Sequence, residues 1–172
     1  MKIIFIFLIM GLILFSCKNN VTDKRIDQTD INERLTLMNR KMVENESKKI
    51  NDFIEAHSFN TTLTGTGLRY QVYKSGKGEK PGINSDVEIN YKVFLLDGTL
   101  CYSSDSTRPT KMRIGVGEQV RGLEEGILLL LPGDKARLIL PSHLAYGMTG
   151  DQEKIPPGSA LFYEVELLNV IK

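Results

Sequence analysis

Val120-Arg121-Gly122-Leu123-Glu124-Glu125-Gly126-Ile127-Leu128-Leu129-Leu130-Leu131 is the stretch from which the rest of the chain is best read. At 100° per residue, Val120, Leu123, Ile127, Leu130 and Leu131 share one helical face, and Arg121, Glu124 and Glu125 lie off it. The two glutamates sit near the helix start, where the positive end of the dipole favours them. From Leu128 onward the segment is apolar nearly all round, which predicts deep burial of its second half. Pro132-Gly133 stops it. Gly122 and Gly126 are four apart and so lie on one side. Each glycine costs a helix about 1 kcal/mol relative to alanine. A pair on one side therefore predicts that another part of the fold comes close to the backbone there.

Around this helix the chain reads as strands. Leu68 to Tyr73 and Val87 to Phe94 alternate apolar and polar residues, as half-buried strands do. Asp97-Gly98 is a strong hairpin signal, with Thr99 to Ser103 as the returning strand. Lys111 to Ile114 is a further short strand, and Ala136 to Leu140 another, ended by Pro141. The stretch from Ser142 to Gly158 reads as an irregular crossover. Ala160 to Val170 closes the domain, with Leu161, Tyr163, Val165 and Leu167 on one side. The expected class is α+β: an antiparallel sheet wrapped around one short helix, preceded by a long N-terminal helix.

Composition excludes several functions. There are 22 Lys and Arg against 21 Asp and Glu, too even a balance for a nucleic-acid surface. A phosphate-binding glycine loop and a GxSxG elbow are absent. His57 and His143 are the only histidines, and Cys17 and Cys101 the only cysteines. A metal enzyme or a histidine-based nucleophilic enzyme has little to work with. No metal and no cofactor are expected.

The N-terminus reads as an export signal. Met1-Lys2 precedes an apolar run from Ile3 to Phe15, too short for a spanning helix of about 20 residues. The run ends Leu14-Phe15-Ser16-Cys17, which resembles the bacterial lipobox. That resemblance implies removal of residues 1–16 and lipidation of Cys17, with acyl chains such as palmitate. More than one chain is needed for stable anchoring. Cys101 is then left without an intramolecular partner. Residues 17–30 read as the lipidated cysteine and a polar tether. The implied location is a bacterial membrane, the outer one by preference, facing the periplasm.

Residues 31–60 read as an amphipathic helical arm. Ile31, Leu35, Met38, Met42, Ile50, Phe53 and Ile54 recur at helical spacing, and Asn45 and Glu46 interrupt the stripe. Asp30-Ile31-Asn32-Glu33 has the form of a capping box. His57 is expected at the helix end, facing the dipole. The arm can pack on the following domain, pair with a second copy, or dock a partner. Thr61 to Gly67 reads as a loop.

Six motifs in order carry a family resemblance over residues 66–172. They are Asn90-Tyr91, Leu96-Asp97-Gly98-Thr99, Ser103-Ser104, Val120 to Gly126, Leu144-Ala145-Tyr146-Gly147 with Ile155-Pro156-Pro157, and Leu161 to Leu167. Together they resemble the FK506-binding-protein (FKBP) class of peptidyl-prolyl cis-trans isomerases, or rotamases. The whole chain is also similar to gliding-motility-associated lipoprotein isomerases. The resemblance implies a membrane-anchored enzyme acting on X-Pro bonds of unfolded or exported proteins. It implies a pocket of Tyr91, Cys101, Tyr102, Met112, Val120, Leu123, Tyr146, Ile155 and Tyr163. Tyr91, Tyr146 and Tyr163 are its walls, and Val120 and Leu123 its floor. The Ile155 N–H and the Tyr146 hydroxyl are its donors to the substrate carbonyl.

The pattern departs from the family at the rim. The family's Phe-Asp before Ser-Ser is here Cys101-Tyr102, and Thr110 and Gln119 replace apolar groups. The departure removes a carboxylate that would organise Tyr91, and Tyr102 is the residue available to refill the shortened wall. Cys101 reads as a small buried hydrophobe. The alternative to an enzyme is therefore an FKBP-fold chaperone or binding module with little catalysis, serving a gliding or secretion assembly.

Overall fold

The computed structural model describes residues 28–104 and 108–171. The expected signal segment, Cys17 and most of the expected tether lie outside the described residues. The chain divides into two compact units, Met1–Met38 and Asn39–Lys172. In the first, the described residues are the opening turns of helix α1, Gln28–Ala56, with Arg34 paired to Asp30 one turn earlier at 3.7 Å. Asp30 thus lies in the first turn rather than at the expected cap.

In the second unit, α1 continues to Ala56 and is followed by seven strands. They are β1 (Thr62–Leu63), β2 (Arg69–Lys74), β3 (Asp86–Leu95), β4 (Leu100–Ser103), β5 (Thr110–Arg113), β6 (Lys135–Leu140) and β7 (Leu161–Ile171). Helix α2 (Arg121–Leu128) stands between β5 and β6, and a 3-10 turn (Ser142–Leu144) follows β6. Every pairing is antiparallel, in the order β1-β2-β6-β7-β3-β4, with β5 on β3. β4 and β5 share one edge of β3, pairing with its second and first halves respectively. The fold is α+β, as expected.

α2 is shorter than the apolar run predicts. It ends at Leu128, and the N–H groups of Leu129 and Leu130 reach back to Gly126 and Ile127 in a tightened last turn. Asp134 stops the chain there: its Oδ2 accepts the Leu131 N–H at 2.8 Å and its Oδ1 the Gly76 N–H at 2.5 Å. Leu123, Ile127 and Leu130 are fully buried, but Leu128 and Leu129 are only half-buried, so the second half is not enclosed all round. The glycine pair does what its spacing predicts. A Cβ on Gly122 would lie 2.6 Å from Leu140 Cδ2, and one on Gly126 would overlap Leu138. Both leucines belong to β6, so α2 is seated directly on the sheet.

The Thr61–Gly67 stretch is not all loop. Thr62 and Leu63 pair with Tyr70 and Arg69, closed by Thr64 N–H on the Leu68 carbonyl at 2.9 Å and Gly67 at φ +98°. Two residues are too few for alternation to register. The Asp97-Gly98 hairpin forms as read, with Gly98 at φ +89° and Asp97 Oδ1 accepting the Thr99 N–H. On α1, only Ile50 and Phe53 of the apolar stripe are buried, in a second small core with Ile139 and Ala160. His57 Nδ1 lies 2.8 Å from the Phe53 carbonyl at the helix end, and its ring packs tilted against Phe53.

Candidate functional site

The nine expected pocket residues all fall in the main apolar cluster of the domain. They form two layers. Cys101, Met112, Leu123, Ile155 and Tyr163 are each at most 3% exposed. Tyr91, Tyr102, Val120 and Tyr146 are half-buried and form the surface above them. The five buried residues, Tyr163 included, therefore offer a ligand almost no surface. Thr110 and Gln119 are half-buried as well.

Each wall comes from a different element. Tyr91 and Tyr163 stand opposite each other's neighbours on β3 and β7, with ring centroids 6.2 Å apart. The Tyr91 backbone is pinned to the end of β4 by Ser104 Oγ on its N–H (2.8 Å) and by the Ser104 N–H on its carbonyl (2.9 Å). Tyr146 comes from the crossover. Burial raises its hydroxyl pKa, and Asp151, Tyr91 and Cys101 add to the rise. Burial likewise raises that of Tyr163, with Tyr146 and Tyr91 adding to it. The Tyr146 and Tyr163 phenols are neutral donors at physiological pH.

None of these three hydroxyls has a partner among the described residues. The one buried side-chain nitrogen or oxygen without a partner among them is Arg137 Nε. Tyr163 is almost wholly enclosed, at 2% exposed. Val120 precedes the first residue of α2 in extended conformation (φ −63°, ψ 142°). Its carbonyl accepts from Leu123 and Glu124, and its N–H has no acceptor among the described residues.

One expectation is corrected. The Ile155 N–H is not free for a substrate, because it donates to Asp151 Oδ1 at 2.8 Å. Tyr102 is half-buried against the cluster that holds Cys101 and is engaged from the crossover. Its hydroxyl donates to Asp151 Oδ2 at 2.5 Å, and Lys154 Nζ sits 4.9 Å from its ring centroid. The ring is drawn toward the crossover by these two contacts. Lys154 Nζ also donates to the Cys101 carbonyl at 3.1 Å. Cys101 is free and buried, and burial raises its thiol pKa, so it is the inert small hydrophobe its surroundings predict.

Asp151 is the residue that sequence reasoning missed. Its Oδ1 accepts the N–H groups of Glu153, Lys154 and Ile155, closing the crossover on itself. Burial alone would raise its carboxyl pKa; the Tyr102 hydroxyl and these three N–H groups outweigh that and hold it at about 2. The available signal was an Asp after Gly150 in a turn-rich stretch, the type that bonds backbone a few residues on. A carboxylate is thus present at the rim, supplied by the crossover instead of β4.

Two cavities beside α1 lie away from the tyrosines. One of about 610 Å³ runs between Met42 and Lys49 of α1, Leu95–Asp97 and Pro156–Ala160. Another of about 350 Å³ lies between Val43–Ile50, Thr64–Gly67 and His143.

Comparison with known proteins agrees with this architecture. The family model described as FKBP-type peptidyl-prolyl cis-trans isomerase matches residues 77–168. The chain is 33% identical over 165 residues to the FKBP-type peptidyl-prolyl cis-trans isomerase FkpA of Escherichia coli K12, covering 91% of this chain and 60% of that one. It is 32% identical to the macrophage infectivity potentiator of Trypanosoma cruzi, covering 95% of this chain and 81% of that one. Among solved structures, a peptidyl-prolyl cis-trans isomerase from Pseudomonas syringae pv. tomato superposes with a TM-score of 0.64 at 28% identity, over 75% of this chain and 96% of that one. The chain belongs to the FKBP-type peptidyl-prolyl cis-trans isomerase family.

Proposed function

We propose that this protein is a membrane-anchored peptidyl-prolyl cis-trans isomerase acting on X-Pro bonds of exported, incompletely folded proteins. The barrier to amide rotation is about 18–20 kcal/mol because the planar bond is resonance-stabilised. Twisting it breaks that resonance and leaves less charge separation. An apolar surface that removes water therefore favours the twisted form over the planar one. Fixed donors facing the carbonyl favour it further. No nucleophile has to act. The observation that carries the reading is the set of three tyrosines from β3, β7 and the crossover, their hydroxyls without partners among the described residues. The Val120 N–H, which has no acceptor among the described residues, is the donor available in place of that of Ile155.

Prolyl isomerisation is slow enough to limit folding, which suits a tethered enzyme that meets newly exported chains. The lipobox-like ending at Cys17 supports the anchor. Leu35, Met38 and Met42 are exposed on α1 and are the surface through which a second copy would pair. Gel filtration of the Leu35→Glu, Met38→Glu double variant against wild type tests that pairing.

A second reading is a binding module with little turnover. It is favoured by the engagement of Tyr102 and the Ile155 N–H with Asp151. Refolding of a protein limited by a prolyl bond separates the two. Acceleration of the slow phase by catalytic amounts of this protein supports the enzyme. Suppressed aggregation at stoichiometric amounts, with the slow phase unchanged, supports the module. Detergent phase partitioning of wild type and Cys17→Ser tests the anchor: the variant is expected in the aqueous phase, and equal partitioning would remove lipidation.

A further inference from the structure

The apolar stripe of α1 is interrupted at Asn45 and Glu46. Glu46 lies four and seven residues before Ile50 and Phe53, hence on the face that those two bury against the sheet. A carboxylate there needs a partner. Glu46 is half-buried, and its Oε1 accepts the Ser142 N–H at 2.7 Å, from 96 residues away. Ser142 is 9% exposed and opens the 3-10 turn after β6. Its N–H faces an otherwise uncapped position, since Pro141 before it makes no side-chain cap.

The same residue holds Tyr146 through its carbonyl. Ser142 O accepts the Ala145 N–H at 2.9 Å and the Gly147 N–H at 2.8 Å. Those two residues flank Tyr146. Ser142 is therefore held by α1 at its N–H, and its carbonyl shapes the backbone that aims the Tyr146 ring. His143 Nε2, 3.0 Å from the Thr66 carbonyl, ties the exposed side of the turn. On the buried side the tie is Glu46.

We propose that Glu46 is a positioning residue for Tyr146, so that the helical arm is part of the support of the isomerase site and not a spacer alone. The inference rests on the isomerase reading of the tyrosine cluster. What the turn requires is an acceptor on the Ser142 N–H. Charge is not required. Glutamine can supply the acceptor through its amide oxygen, and methionine fills similar space without one.

The test is turnover of a proline peptide by the full chain as wild type, Glu46→Met and Glu46→Gln, with amide hydrogen exchange at Ser142 measured alongside. A misplacement transmitted from outside the chemistry can cost up to about a hundredfold, and one hydrogen bond through a turn is expected to cost about tenfold. Glu46→Met should lose that much in kcat with KM within about twofold, and the Ser142 amide should exchange faster. Glu46→Gln should restore both. Wild-type kcat in Glu46→Met overturns the proposal, as does a Glu46→Gln that falls as far as Glu46→Met. Should Glu46→Met be too unstable for kinetics, Glu46→Gln still decides: normal turnover with a protected Ser142 amide supports the acceptor role, and lost turnover with that amide still protected overturns it. A wild type without turnover defeats the isomerase reading instead, and is distinguishable because it precedes any comparison of variants.

Discussion

Asp151 receives four hydrogen bonds, three from backbone N–H groups of its own loop and one from Tyr102. The Tyr102 bond is the only one of the four that reaches another element, so Tyr102→Phe removes one tie between crossover and β4, leaves the Lys154–Cys101 tie, and leaves the loop closed. That variant is expected to lower kcat/KM severalfold with a small change in melting temperature, measured by peptide turnover and calorimetry. Because the Asp151 carboxyl titrates at about 2, below its ordinary 3.8, its contribution is complete above that ordinary value and lost as pH falls through about 2. The stability advantage of wild type over Asp151→Asn should therefore shrink over that window and be flat at neutral pH, read from denaturant melts. Tyr146→Phe removes a donor but keeps the ring. A neutral hydrogen bond is worth about 0.5–1.5 kcal/mol net, so the loss in kcat/KM should be roughly two- to tenfold. At this scale the aromatic residues were legible because they sit in motifs. Asp151 was not, because its partners are backbone groups and a tyrosine on another element.

α2 and β6 meet through the absence of two side chains. Gly122→Ala improves helix propensity by about 1 kcal/mol, yet its Cβ would sit 2.6 Å from Leu140 Cδ2 and 3.0 Å from Leu144 Cβ, both in buried residues. Overpacking costs about 1–3 kcal/mol and should prevail, lowering the melting temperature by about 2–4 °C per kcal/mol in a domain of this size. A rise in melting temperature would show that Leu140 yields freely. Phe53→Ala tests the seat of α1, since Phe53 packs on Phe162 at 5.3 Å between centroids and on Phe59 at 6.0 Å. Truncating such a ring costs about 3–5 kcal/mol, visible in the denaturation midpoint. The glycine spacing and the strand alternation gave these elements away in the chain. The end of α2 did not, because Leu128 to Leu131 remain apolar past the point where Asp134, through its side chain, turns the backbone.

Across the whole molecule, the sheet, the short helix and the long arm follow the order in which the motifs occur, and the family match over residues 77–168 falls where those motifs lie. The arm was legible as a helix but its role was not, since a stripe of Leu and Met reads alike for packing, pairing and docking. Only Ile50 and Phe53 of that stripe are buried among the described residues, and Glu46 binds the crossover. The most direct measurement of the central claim is the rate of cis-to-trans conversion of a short X-Pro peptide with wild type and with Val120→Glu. Wild type should accelerate conversion catalytically, and a carboxylate on the apolar floor should abolish the acceleration while the melting temperature stays within a few degrees. Conversion at the uncatalysed rate with wild type, or an undiminished rate in Val120→Glu, would contradict it.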